Sequence, residues 1–368
     1  MAASFSRRAL KFEKVEDRIC PAIIAGVASN GDLEISGDSI APVEIVALDA
    51  DSYQISENSV PLTIVDGVTR GIRISLGSSN DDVTLDLANH VVNGSVVVDL
   101  GGGNNEFELE NGTVRGHLVV HGGAGEDEIE VEREIAVFKN TTINLGGGNN
   151  EATLSGNFSG HLSVNADAGI DQISIDNDAD VAKHTRLQLG GGNNAFSLEG
   201  DLARHLFYDG GDGNDTVTIL AQARVGQHAN VDLGGGDNTF TLEGRVDRNL
   251  MLYAWAGIDM VNIANSARIA KDAKLFLGDG DNSVTFAGDV KRSLHLATGS
   301  GIDTVTITNA AKIARDARLM LGGGDDSVSH AGMIGRKLTI DGGAGTDTYT
   351  NLSGAAQDVK LTAIEVIV

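Results

Sequence analysis

Six aspartates recur at one interval in this 368-residue chain: Asp127, Asp171, Asp215, Asp259, Asp303 and Asp347 stand 44 residues apart, each two residues behind a glycine. A carboxylate beside a glycine turn has two chemistries open to it. It can accept hydrogen bonds from the turn backbone and stack as a ladder on equivalent turns. Alternatively, it can converge with carbonyl oxygens on a hard cation such as Ca2+, which takes about six to eight oxygen ligands. Asp212 adds charge to one of these turns, and later turns add Asp279 with Asp281 and Asp325 with Asp326. The candidate metal set is therefore Asp127, Asp171, Asp212, Asp215, Asp259, Asp303, Asp325 and Asp347. Other turns offer the neutral pairs Asn149/Asn150 and Asn193/Asn194, which suit a ladder as well as a cation. The residues leave both readings open. A phosphate loop is excluded, because no Gly-Lys-Ser/Thr follows and no helix is in prospect to receive the anion.

Such turns need elements that bring them together. A second glycine series, LGGG and its variants, begins at Leu145, Leu189, Leu233, Leu277 and Leu321, again 44 apart, so glycine turns come alternately after 20 and 24 residues. Between turns the apolar residues alternate with period 2, as in Ile129/Val131, Phe196/Leu198, Leu206/Tyr208 and Leu250/Leu252. A third inward column runs Val137, Val181, Val225, Ile269 and Ile313. Alternation of this kind is the mark of half-buried strands, and no segment carries a helical period. A rung of 20–24 residues cannot bury its stripe alone, so the rungs must stack on one another. The fold expected is all-β: a right-handed parallel β-helix, its hand taken from the general rule for parallel crossovers. Thirteen glycine turns between Gly77 and Gly342 predict a rod roughly 60 Å long at strand spacing. The expected organisation is a leader at 1–30, poorly ordered; an N-terminal cap and first rungs at 31–75; the solenoid at 76–352; and a C-terminal cap at 353–368. His330 and Tyr349/Asn351 break their columns near the end, as capping repeats do.

Composition narrows the function. With 52 Asp and Glu against 27 Lys and Arg, the net charge is −25, which repels nucleic-acid phosphates. No apolar run approaches the ~20 residues of a membrane-spanning helix. One cysteine, Cys20, permits no internal disulfide. His117, His161 and His205 recur at 44, but two rungs, about 9.6 Å, separate them, too far for one zinc to touch two. Arg204/Arg248/Arg292/Arg336 and Lys139/Lys183/Lys271/Arg315 form two basic columns, read as surface charges offsetting acidic neighbours, with an anionic polymer as the functional alternative. Polysaccharide cleavage needs carboxylates at a defined separation in a cleft. Here the carboxylates repeat at every rung, and one tryptophan, Trp255, and four tyrosines make a sparse platform for sugars.

The stretches GGAGED (122–127), GGDGND (210–215) and GGAGTD (342–347) resemble the GGxGxDxUx nonapeptide of RTX-type calcium-binding β-rolls, and the longer strands between them resemble pectin-lyase-like β-helices. The resemblance implies Ca2+ at stacked Gly-Asp turns. The N-terminal LKFEKVEDRICPAI (10–23) resembles the leader of planctomycete surface and secreted proteins, which implies export. The expectation is a non-catalytic secreted or cell-surface β-solenoid, structural or adhesive, calcium-stabilised at its turns, with a surface polysaccharide or another surface protein as partner. The alternative is a polysaccharide lyase or glycoside hydrolase of the β-helix type.

Overall fold

The computed structural model describes residues 23–39, 41–353 and 358–368; most of the leader-like segment lies outside them. Every element is a strand, and the strands form three sheets that run the length of a parallel solenoid. One coil shows the plan. Leu118–Ala124 lies in the first sheet, and a glycine turn leads to Glu128–Val131 in the second. A short turn then reaches Ile135–Val137 in the third sheet, and another returns the chain to the first at Thr141–Gly147. The short third strand is where the inward column Val137, Val181, Val225 sits. Its companions in the alternate coils are Val114, Phe158, Leu202 and Val246.

Twelve coils carry all three strands, matching the twelve-stranded third sheet. The thirteenth glycine turn, at 342–345, leads into terminal strands that belong only to the first two sheets. The axial offset is finer than the turn spacing predicts: from Asp127 onward, residues stacked on one another are alternately 23 and 21 apart. That correction decides which residue of each turn joins which column.

The stack stays in step because side chains of each coil pack on like side chains of the next. Phe107, Ile129, Ala152, Ile173, Phe196, Val217 and Phe240 form one continuous buried column in the second sheet. A one-residue slip would turn every such side chain outward. At the ends the pattern changes. Val43–Ala47 joins the second sheet in parallel with Asp82–Asp86, and Ser52–Glu57 and Val60–Asp66 then add antiparallel strands. Ile24–Val27 closes the first sheet by antiparallel pairing with Leu33–Ser36. At the far end His330 is fully buried; its Nε2 donates to the Gly332 carbonyl at 2.8 Å and its Nδ1 lies 3.3 Å from the Tyr349 hydroxyl.

Candidate functional site

The glycine edge, between the first and second sheets, is built by close backbone stacking. Gly148 has φ 122°, and a Cβ there would lie 1.6 Å from the Gly125 carbonyl oxygen of the preceding coil. Only glycine fits. The turns bond to one another along the axis: Gly125 N–H donates to Gly147 O, Gly148 to Ala168 O, Gly169 to Gly191 O and Gly192 to Asp212 O, at 2.7–3.0 Å.

Inside this edge lies one unbroken line of side chains. Asp127, Asp171, Asp215, Asp259, Asp303 and Asp347 are all buried in it, and alternate coils contribute Asn105, Asn150, Asn194, Asn238 and Asn282. Each Oδ1 accepts the backbone N–H of the equivalent residue one coil earlier: Asn105 to Asp127 (3.1 Å), Asp127 to Asn150 (3.0 Å), Asn150 to Asp171 (3.1 Å), and so on to Asp326 to Asp347 (2.9 Å). Asp81 begins the line, where it accepts the Ser39 N–H, and Glu365 Oε2 ends it by accepting the Asp347 N–H. The asparagine Nδ2 groups donate back to glycine carbonyls, as Asn150 does to Gly148 at 3.2 Å. Asn105, Asn150 and Asn238 also donate to the next aspartate's Oδ1.

The aspartates differ from the asparagines in one atom. Oδ2 of Asp81, Asp127, Asp171, Asp215, Asp259, Asp303, Asp326 and Asp347 is buried with no hydrogen-bond partner. It packs on the preceding sheet's end: a Cβ on Gly210 would lie 2.2 Å from Asp215 Oδ2. Burial therefore makes most of these carboxyls weaker acids. Asp127, Asp171, Asp259 and Asp303 are pushed above the usual carboxylate range, and Asp215 to about 6, each mainly by desolvation. Asp326 is also held at about 6, by burial and then by repulsion from Asp303, Asp347 and Asp325.

The two other sequence candidates stand elsewhere. Asp325 is exposed and belongs to an outer ladder that runs the opposite way, its Oδ1 accepting Thr346 N–H at 2.8 Å, as Asn149 accepts Ile170 and Asp237 accepts Ile258. Asp326 takes the inner place instead, because it stands where Asn150, Asn194, Asn238 and Asn282 stand in the earlier copies. Asp212 is exposed at a turn tip. The donor set does not fit a calcium cage. From Asp81 to Asp303 the aspartates lie two coils apart, about 9.6 Å. Asp303, Asp326 and Asp347 stand in successive coils, but there as elsewhere each Oδ1 holds an N–H, and the turn carbonyls that would face the ion are spent on the next turn.

Among the described residues, one group of three side chains brings ligand atoms within 4.8 Å of one another: Glu108, Glu110 and Glu132, on the outer face of the second sheet. Like charges also meet in register there, Glu106 beside Glu128 and Glu128 beside Glu151. Glu110 is pushed up to about 7, first by desolvation and then by Glu108.

On the edge between the third and first sheets the finer offset changes two readings. His184 and His228 fill the coils between and beyond His161 and His205, so four imidazoles stack face to face at 5.3, 4.8 and 5.0 Å. The 44-residue period shows only every second member, which is why the stack was invisible in that series. Burial first, and then neighbouring positive charge, lowers the pKa of His184, His205 and His228; the neighbours are imidazoles and arginines for His184 and His205, and Arg248 and Lys271 for His228. The two basic columns likewise merge into one: Arg248 N–H donates to Gln227 O, Lys271 to Arg248 O, Arg292 to Lys271 O, Arg315 to Arg292 O and Arg336 to Arg315 O.

Comparison with family models, with curated proteins and with solved structures finds no match for this chain, so the resemblances at the glycine turns and the leader rest on their own residues.

Proposed function

We propose that this protein is a non-catalytic scaffold, a stiff rod presented at the cell surface or secreted. The observation that supports this reading is the continuity of the stack: buried apolar side chains form columns along the twelve coils, and the buried Asx line is spent on holding neighbouring turns together. A scaffold needs such regularity, because its strength is the sum of identical coil-to-coil interfaces. Export is supported by the leader-like segment at 10–23. In this reading the RTX-like glycine turns keep the geometry of a tight stacked bend and carry a hydrogen-bonded ladder in place of the ion.

Two measurements test the reading. Fractionation of the source cells is expected to place the protein in the envelope or the medium; a purely cytoplasmic protein contradicts export. Incubation with a panel of acidic and neutral polysaccharides is expected to release no new reducing ends or unsaturated products. The competing enzyme reading is favoured by one observation, the carboxyl of Glu110 held near neutrality beside Glu108, which is the state a general acid needs. Product release by the wild type that is lost in Glu110→Gln would replace the scaffold with a hydrolase or lyase.

A further inference from the structure

The basic residues are sorted to one side of the rod. Of 27 Lys and Arg, five precede residue 23; all the remaining 22 except Arg133 lie on the third sheet, on a turn leading into the first sheet, or on the first sheet itself. The second sheet and the glycine edge carry none. Along the turn, the merged column places a cation in seven of eight successive coils from Lys183 to Arg336, about 34 Å at strand spacing. Lys183, Arg204, Arg248, Lys271, Arg315 and Arg336 have no carboxylate within salt-bridge distance among the described residues. The glycine edge is the reverse. Asp212, Asp237, Asp279, Asp281 and Asp325 are exposed there without a basic partner. One four-residue strand of the first sheet, roughly 13 Å, separates the two edges.

We propose that the partner of the basic column is a second copy of this chain, whose acidic glycine edge lies along it. The charge pattern selects this occupant because both edges are cut from the same coil stack. They share one axial period, so the coils of two rods stay in step along the contact, and Asp237, Asp281 and Asp325 return at every second coil. The contact is heterologous: each rod keeps a free basic edge on one side and a free acidic edge on the other, and the association grows side by side into an open layer. A net charge of −25 opposes growth at very low salt, where repulsion reaches far. At 1 M salt the screening length falls to about 3 Å and the local attraction is lost. Association is therefore strongest at about 0.1 M. This rests on the scaffold reading for its use, not for its physics.

The test is sedimentation velocity at about 0.1 M and 1 M salt on three proteins. The wild type is expected to self-associate at the lower salt and to dissociate at the higher. Arg204→Gln/Arg248→Gln/Arg315→Gln imitates Gln227, already in that column; Asp237→Asn/Asp279→Asn/Asp281→Asn/Asp325→Asn keeps the outer ladder's Oδ1 acceptors, as Asn149 and Asn193 do. Each variant alone is expected to stay monomeric with unchanged circular dichroism. Mixed in equal amounts they are expected to stop at pairs, because one intact edge remains on each. A wild type that stays monomeric at every salt, or variants that associate as the wild type does, would overturn the proposal. A monomeric wild type that binds dextran sulfate through the arginine column would hand the edge to an anionic polymer instead. Any of these failures leaves the product-release test of the scaffold reading untouched.

Discussion

Asp215 and Asn194 occupy the same place in successive coils, yet Asn194 Nδ2 donates to the Gly192 and Gly210 carbonyls while Asp215 Oδ2 meets no partner. Asp215→Asn should therefore stabilise the rod at pH 8, by about 1 kcal/mol for a satisfied buried donor. Asp215→Ala, which strands the Asn194 N–H, should cost about 1–3 kcal/mol; chemical denaturation of the three proteins checks both signs. The same atom sets a pH dependence. A carboxyl whose folded value lies above its unfolded value binds more protons when folded, so stability rises as pH falls from about 7 towards 5 through the raised values near 6 of Asp215 and Asp326. The lowered values of His184, His205 and His228 act oppositely: below about pH 6.5 the unfolded chain binds the extra proton and stability falls. The difference between wild type and Asp215→Asn/Asp326→Asn isolates the carboxyls. The variant's advantage at pH 8 should shrink as pH falls to 5; an advantage that grows would contradict buried, partnerless carboxylates.

At the scale of the turn, Gly147 and Gly148 make opposite demands. A Cβ at Gly147 meets nothing closer than 3.8 Å, and alanine already stands at the paired position Ala124. Gly148 combines φ 122° with a carbonyl 1.6 Å from its would-be Cβ. Gly147→Ala should leave the melting temperature close to wild type, whereas Gly148→Ala should lower it by several degrees, because the whole stacked turn must shift. Much of this was legible in the chain. Period-2 alternation and the 44-residue interval locate strands, inward columns and turns, and the buried position of Ile129/Val131 or Phe196/Leu198 follows from alternation alone. The axial neighbours were less legible, because glycine spacing measures turn to turn along the sequence while stacking follows the hydrogen-bond register. An offset of 23 sets Asp326 on Asp303, where 24 would reach Ser327, and interleaves His184 with His161 and His205. Alignment of Asp326 with Asn150, Asn194, Asn238 and Asn282 was the available signal.

Over the whole molecule, eleven similar interfaces between the twelve complete coils make stability a sum over neighbours rather than the property of one core. The eight buried aspartates run through that sum, and their role separates a self-bonded rod from a metal-stabilised one. The most direct measurement is the melting temperature of the wild type and of Asp171→Asn/Asp215→Asn/Asp259→Asn at pH 8, first in EDTA and then with excess Ca2+. A hydrogen-bonded ladder predicts a wild type that melts at the same temperature in both and a variant that melts higher in both. A wild type stabilised by Ca2+, with that gain lost in the variant, would contradict it.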